Sequence, residues 1–144
     1  MSLLIKQLSI FLENKQGRLS EVAVLLGDQG INMTAFTVTE SSDFGLLRLI
    51  VSDSEKALAV LKEKGFAVSM TEVICLQCPN EPGALGKAMT LLTAGGVFIE
   101  YMYVFSQNDR ANVIIRPHNM EKCTKVLLDN KLVLLAENDL YKIG

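Results

Sequence analysis

The sequence predicts an α+β fold made of two consecutive β-α-β-β-α-β units, each with an antiparallel sheet and its helices on one face. The first observation is an internal repeat. At an offset of 66 residues and without a gap, the 61 pairs from Leu8 to Val68 contain twelve identities, where chance gives about four. The second is that the apolar residues of each copy switch between a strand period of two and a helix period. The third is that glycines and polar clusters separate these segments at equivalent points of both copies.

The elements follow the same order in each copy: strand, helix, two strands joined by a hairpin, helix and strand. A glycine, Gly30 or Gly96, stands where a helix ends. The run Ser52-Asp53-Ser54-Glu55 is typical of a capping box before the second helix. Polar turns at 41–43 and 107–109 join the hairpin strands. The predicted elements are 8–12, 19–26, 33–40, 46–51, 57–61 and 66–70 in the first copy, and 74–78, 85–92, 99–106, 112–116, 121–129 and 132–136 in the second.

The boundary between the copies has no Pro-, Gly- or Ser-rich linker. Residues 66–78 form a largely continuous strand-like run, so the last strand of one copy leads into the first strand of the next. We therefore divide the chain into repeat 1, residues 1–70, and repeat 2, residues 71–144. The remaining residues 140–143 are apolar enough to predict an extra edge strand.

The sheets have more apolar surface than two helices can cover. The strand at 46–51 is apolar on both alternations apart from Arg48. In the strand at 99–106, alternation places Ile99, Tyr101, Tyr103 and Phe105 on one face. Since an uncovered sheet face or edge should be polar, the chain is expected to form a homodimer.

Composition excludes several classes of function. The chain has 14 basic and 16 acidic side chains and a net charge of −2, which provides no field to attract nucleic acid or an anionic membrane. No apolar run reaches the roughly 18 residues of a membrane-spanning helix, and the first residues do not match a signal peptide. The three cysteines are an odd number, which indicates reduced thiols in a cytoplasmic protein.

Side chains suited to metal binding or catalysis are few. Cys75 and Cys78 have the spacing of a redox or metal motif, but they lie in a predicted strand, where residues three apart point to opposite faces. They are more simply interpreted as core thiols. His118 is the single histidine and follows Pro117 in a predicted loop, with no nucleophile in view. We therefore predict no catalytic residue, no metal and no cofactor.

The first candidate site is the turn before the first helix of each copy. A helix N-terminus presents unpaired N–H groups and a positive dipole end, which suit a carboxylate. Gly17 and Gly83 allow a ligand to approach the backbone, and Asn14 and Asn80 supply donors and acceptors. The alternative is that these are ordinary turn residues without a ligand.

The second candidate site follows that helix. The run Gly30-Ile31-Asn32 corresponds to Gly96-Val97-Phe98, so an amide in the first copy is replaced by an aromatic ring in the second. If these positions contact a ligand, the two copies bind differently. The alternative is a helix C-cap followed by the start of a strand.

The order and spacing of these motifs resemble an ACT domain, a ferredoxin-like regulatory module, in two tandem copies that cover essentially the whole chain. The pattern is Asn-x-x-Gly-x-Leu, a helix, Gly-Ile-Asn and two strands, and the second copy matches further through Pro82-Gly83. Gln16 stands where the family usually has Pro, and Phe98 where it has Asn. The resemblance implies ligand contacts by Asn14, Gln16, Gly17, Arg18, Leu19, Asn32, Asn80, Pro82, Gly83, Ala84 and Leu85.

The resemblance also implies that the chain is a free-standing regulatory protein that senses a free amino acid at interfaces between ACT domains. Its expected partners are that ligand, a second copy of the chain, and a separate metabolic enzyme or regulator. An amino acid needs an anion site, acceptors for its ammonium group and a pocket for its side chain, which this arrangement can supply. Two alternatives stay open: a small enzyme on the same scaffold, and a dimerisation adaptor without a ligand.

Overall fold

The computed structural model of the protein describes residues 2–13, 16–40 and 44–141. The elements within these ranges, in chain order, are β1 (Leu4–Glu13), α1 (Arg18–Asp28), β2 (Met33–Glu40), β3 (Phe44–Val51), α2 (Ser54–Glu63), β4 (Ala67–Pro79), α3 (Ala84–Ala94), β5 (Ile99–Gln107), β6 (Arg110–Pro117), α4 (Met120–Asp129), β7 (Val133–Leu135) and α5 (Glu137–Tyr141). The predicted β-α-β-β-α-β order is therefore confirmed in both repeats. The long strand β4 closes the first repeat and opens the second, as the continuous apolar run predicts.

The chain forms two compact units that do not follow simple chain order. The first unit contains Lys6–Thr71 together with the segment that begins at Asn138. The second unit contains Glu72–Glu137 together with the N-terminal segment that ends at Ile5. Each unit therefore includes a terminal segment that belongs, by chain order, to the other repeat.

The sheet of the first unit has the order β2-β3-β1-β4, and β1 pairs antiparallel with β3 through Leu8 opposite Leu49 and Phe11 opposite Leu46. One face of this sheet carries both helices, because alternate strand residues and the inward residues of α1 and α2 form a single buried cluster. The members that define it are Leu8, Ile10, Leu12, Val22, Leu26, Leu47, Leu49, Val51, Ala57 and Leu61. The helical and strand periods of the sequence are thus explained by the same core.

The second unit repeats this arrangement with the order β7-β4-β6-β5. Strand β4 pairs antiparallel with β6, with Ile74 opposite Ile115 and Gln77 opposite Asn112. The core again joins one sheet face to both helices: Ile74, Leu76, Cys78, Ala88, Leu92, Ala111, Val113, Ile115, Cys123 and Leu127. The predicted antiparallel sheets with helices on one face are confirmed.

A register shift in the edge strand of each unit corrects one prediction. The pairing of β5 with β6 shifts between Ile99 and Tyr101, and that of β2 with β3 shifts between Met33 and Ala35. Ile99 consequently packs against the helix-side core together with Met102, and does not share a face with Tyr101. Strict alternation fails here because an irregularity changes the parity of the strand.

The predicted edge strand at 140–143 is wrong where the structure describes it. Residues Glu137–Tyr141 form the short helix α5, in which Leu140 is fully buried. A single turn of helix buries one side chain in four. This four-residue run is too short for its periodicity to distinguish such a turn from a strand. Residues 142 and 143 lie outside the described part, as does the predicted hairpin turn at 41–43. No helix among the described residues is long and apolar enough to cross a membrane.

Candidate functional site

The first helix of each repeat begins at a glycine with a left-handed backbone. Gly17 precedes α1 with φ 89°, and Gly83 precedes α3 with φ 90°. A Cβ added at either glycine would meet no atom within 4 Å, so the conformation rather than crowding calls for glycine. The recurrence of the same turn in both repeats shows that the predicted strand–turn–helix junctions are equivalent.

These two helices have no side-chain cap, whereas the second helix of each repeat has one. The N-cap residues of α1 and α3 are Gly17 and Gly83, which have no side chain to accept a hydrogen bond from the first turn. By contrast, Asp53 Oδ1 accepts from the backbone N–H of Lys56 at 3.1 Å, and Asn119 Oδ1 accepts from that of Lys122 at 3.0 Å. The first turns of α1 and α3 therefore lack the side-chain acceptor that α2 and α4 have, and their N–H groups are the candidates for an external acceptor.

The predicted ligand-binding residues of the first turn are accessible. Gln16 and Gly17 are exposed, and Leu19 is 39% exposed. Arg18 is turned toward other protein groups: its guanidinium lies 4.5 Å from the ring centroid of Phe66. Asn14 lies outside the described residues.

Arg18 is held by three contacts. Its NH1 donates to Glu21 Oε2 at 2.8 Å, and its NH2 lies 3.9 Å from Glu13 Oε1. Its stacking on Phe66 links the start of α1 to the start of β4. Sequence reasoning identified Arg18 but missed Phe66, since no local pattern links residues so far apart in the chain. The contacts indicate that Arg18 orders the turn.

The corresponding turn of the second repeat combines a solvent-facing half and a packed half. Asn80, Pro82 and Gly83 are exposed. Ala84 and Leu85 are half-buried and pack against the core of the second unit. The backbone N–H of Asn80 donates to the carbonyl of Asp109 at 2.8 Å, which fixes where the turn begins.

Asn32 lies at the other end of α1 from Gly17. The helix has 11 residues, which at about 1.5 Å per residue separates its ends by about 16 Å. The exposed Asn32 donates its backbone N–H to Ser52 Oγ at 2.9 Å, and Ser52 N–H donates back to its carbonyl at 3.0 Å. One ligand the size of an amino acid cannot contact Gly17 and Asn32 of the same repeat.

In the second repeat this position carries an aromatic cluster. Phe98 is 67% exposed, and its ring lies 4.6 Å from the His118 ring in an edge-on arrangement. Glu100 Oε1 lies 3.9 Å from His118 Nε2, and Glu100 Oε2 lies 3.4 Å from Arg116 Nε. The sequence predicts different chemistry at Asn32 and Phe98. The structure extends this difference to the neighbouring residue, because His118 of the second repeat occupies the position of Ser52 in the first.

The cysteines are buried thiols. Cys78 belongs to the helix-side core with Ile74 and Leu76, whereas Cys75 is fully buried outside that cluster, as strand alternation predicts. Burial raises the pKa of the Cys78 thiol and raises that of Cys123 to about 11. Within the described ranges, no three His, Cys, Asp or Glu side chains are grouped so that they could hold a metal ion.

Comparison with known families decides the identity of the fold. The model of the ACT domain pair matches residues 3–144. The chain belongs to the ACT domain pair family. Its members are typical of regulatory proteins that bind small molecules, and the family is regulatory rather than catalytic.

Solved structures share the fold of this ACT domain pair. Protein BT0572 from Bacteroides thetaiotaomicron is 56% identical, with a TM-score of 0.94 and 97% of each chain covered. The regulatory subunit of aspartate kinase from Thermus thermophilus, in its ligand-free form, is 17% identical, with a TM-score of 0.66, 89% of this chain covered and 95% of the other. The corresponding subunit from Thermus flavus is 16% identical, with a TM-score of 0.62 and coverages of 89% and 93%.

At 16–17% identity the two kinase subunits show a common fold and no more. No curated protein matches the sequence. The function of this ACT domain pair must therefore be argued from its own residues.

Proposed function

We propose that this ACT domain pair is a regulatory protein that binds a free amino acid. The observation that carries the proposal is the contrast in helix capping: α1 and α3 begin at uncapped glycines, while α2 and α4 carry side-chain caps. An α-carboxylate is the part of an amino acid that fits such an open helix N-terminus. A helix that begins at an uncapped glycine occurs once in each of the repeats, residues 1–70 and 71–144.

The other groups of the ligand have candidate partners in the predicted set. Amide oxygens of Asn14, Asn32 and Asn80 are acceptors for an ammonium group. Because Gly17 and Asn32 lie at opposite ends of α1, a ligand that uses both types of contact takes them from different copies of the domain. Gln16 and Phe98 depart from the family pattern, so the two repeats are expected to differ in affinity.

The chain is proposed to act as a homodimer. The strands β2 and β5 are the edges of their own sheets. On β2, Phe36 is 52% exposed and Val38 is 41% exposed, and on β5 Val104 is 45% exposed. Exposed apolar side chains beside unpaired strand edges favour association with a second copy.

Regulation would follow from preferential binding to one arrangement of the domains. A ligand shifts a conformational equilibrium by the ratio of its affinities for the two states. The protein that responds to ligand binding is proposed to be a separate metabolic enzyme or regulator, because the ACT domain pair belongs to a regulatory family. The three buried thiols support a cytoplasmic setting.

A thermal-shift screen of the purified chain against the standard amino acids tests the proposal. Ligand that binds the folded state raises Tm by mass action, and calorimetry then gives the affinity. We expect one amino acid, or one chemical family of them, to raise Tm selectively. If none does so at millimolar concentration, amino-acid sensing is wrong and the dimerisation adaptor is favoured. Turnover of an amino acid during these measurements would instead favour the small enzyme.

Gly86→Glu locates the carboxylate site in the second repeat. Residue 86 lies in the first turn of α3, and a Cβ there meets no atom within 4 Å. A glutamate at this position places its own carboxylate at the free N–H groups and stabilises the helix. We expect ligand affinity at this repeat to fall about tenfold or more while Tm without ligand stays or rises.

Gly86→Ala is the matched control, because it makes the same backbone change without the carboxylate. Ser20→Glu and Ser20→Ala are the equivalent pair in α1. If both glutamate variants bind the ligand as tightly as their alanine controls, the carboxylate does not lie at these helix N-termini.

Light scattering at micromolar concentration tests the homodimer. We expect a dimer for the wild-type chain and a shift toward monomer for Phe36→Lys, which places a charge on the exposed edge. Leu128→Lys, at a 46% exposed position of α4, is the control. A wild-type monomer would contradict the dimer and leave the amino-acid screen unaffected.

A further inference from the structure

A groove of about 480 Å³ lies along the outer side of α1 in the first unit. Its volume is within the usual range of small-molecule sites. Its lining comes from α1 and from the segment after α2: Ser20, Glu21, Val24, Leu25, Asp28, Lys64 and Phe66. The groove thus begins in the first turn of α1, where the uncapped N–H groups are.

The middle of the groove is apolar. Val24 is 61% exposed although it is a large apolar side chain on a helix. Leu25 is half-buried and packs against the core of the first unit. Phe66 is only 7% exposed and is fixed from one side by the guanidinium of Arg18. These three side chains offer a surface for an apolar group.

The ends of the groove carry charge. Lys56, in the first turn of α2, donates to the carbonyl of Gln29 just beyond the end of α1, so the two helices run antiparallel. Lys64, at the end of α2, accordingly lies toward the start of α1, and Asp28 lies at the far end. In the part of the chain that the structure describes, Lys64 and Asp28 have no ion pair of 4.0 Å or less.

Glu21 differs from these two residues because it is already bound. Arg18 NH1 donates to its Oε2 at 2.8 Å, which fixes the carboxylate at the rim. An oriented carboxylate beside the first turn is suited to accept from an ammonium group.

We propose that this groove selects an amino acid with an apolar side chain. The ligand carboxylate binds at the first turn of α1, near Lys64, and its ammonium group binds Glu21. Its side chain lies on Val24, Leu25 and Phe66. Asp28 at the far end repels an acidic side chain. This assignment rests on the amino-acid binding proposed above and names the ligand class of the first repeat.

The same positions in the second repeat have different chemistry. At the offset of 66 residues, Lys87 replaces Glu21, Ala94 replaces Asp28, and Asn130 replaces Lys64. A second groove, of about 550 Å³, lies along α4 and not along α3, the counterpart of α1. The proposal is therefore confined to α1.

Calorimetry with L-leucine, L-phenylalanine and L-glutamate tests it on the full-length chain. We expect leucine or phenylalanine to bind about tenfold or more tightly than glutamate. Val24→Trp fills the groove at an exposed position and should abolish that binding without lowering Tm. Thr90→Trp is the matched control, since Thr90 is the exposed counterpart of Val24 on α3. Lys64→Gln should weaken binding severalfold, and Asp28→Asn should reduce the discrimination against glutamate.

The outcomes separate the two proposals. If Val24→Trp and Thr90→Trp bind the apolar amino acids equally well, the groove is not the site. If glutamate binds as tightly as leucine, the groove does not select the side chain. In either case amino-acid sensing stands if Ser20→Glu or Gly86→Glu weakens binding. If no amino acid binds the wild-type chain, both proposals are overturned.

Discussion

The side-chain Nζ of Lys56 lies 2.8 Å from the backbone carbonyl oxygen of Gln29, so α2 caps the C-terminal end of α1. The corresponding residue of the second repeat is also a lysine, Lys122. Its Nζ lies close to Gly96, just after α3, because a Cβ added to that glycine would be 2.8 Å from it. A cation at a helix C-terminus satisfies a free carbonyl and the helix dipole. This contact gives a physical reason for one of the twelve identities between the repeats.

Lys56→Met should lower the free energy of unfolding by about 1 kcal/mol, since an exposed charged hydrogen bond is lost and the apolar stem is kept. Urea denaturation measures the change. Lys87→Met, at an exposed position of α3, should change it by less than about 0.5 kcal/mol. Equal effects of the two substitutions would argue against the cap.

Asp53→Ala and Asn119→Ala should each cost about 1 kcal/mol, because each removes the side-chain acceptor at the start of a helix. Asp53→Asn keeps an acceptor and should leave stability nearly unchanged. The measurement is again chemical denaturation. An Asn variant as unstable as the Ala variant would show that charge, rather than capping, is the source of the effect.

Gly95→Ala and Gly27→Ala should have opposite signs. A Cβ at Gly95 would lie 2.6 Å from Val126 Cγ2, which forces α3 and α4 apart and should cost about 1–3 kcal/mol. A Cβ at Gly27, inside α1, meets no atom within 4 Å and should stabilise by about 0.5–1 kcal/mol. Differential scanning calorimetry of both variants checks the prediction, which fails if Gly95→Ala raises Tm.

Stability should fall in alkaline solution partly through Cys123. Burial raises its pKa from 9.0 to about 11, so between these values the unfolded chain loses the thiol proton while the folded chain keeps it. This contribution is fully present below about pH 9 and is lost as the pH rises toward 11. It should reach about 3 kcal/mol at most.

The measurement is the free energy of unfolding of wild type and Cys123→Ala between about pH 8 and about pH 11. The variant is less stable at neutral pH because a buried side chain is removed, but its alkaline slope should be shallower. Parallel slopes would mean that the Cys123 thiol ionises equally in both states.

Prediction of the fold from the sequence succeeded where a helix or strand buries a single face. The spacing of Val22 and Leu26 predicts α1 because both side chains are buried in the core of its own repeat. It failed at Ile99, where a register shift reverses the parity of the strand, and at Leu140, where one turn of helix buries a side chain that looks strand-like.

Some features of the candidate site were likewise predicted from the sequence, and others were missed. Gly17 and Gly83 were found because a glycine before an amphipathic helix has a local signature. The contact of Arg18 with Phe66 and the groove along α1 were missed, since they join residues more than 35 positions apart through the antiparallel packing of α1 and α2. The difference between Asn32 and Phe98 was visible in the sequence, but the ring contact with His118 was not.

The assignment of the chain ends to the two compact units has a consequence for how such a protein can evolve. The segment from Asn138, with the fully buried Leu140, belongs to the unit of the first repeat, and the segment up to Ile5 belongs to the unit of the second. A deletion that removed either repeat from the gene would also take away part of the other one's folded unit. The two copies can therefore be retained only together, while single positions such as Asn32 and Phe98 differ between them.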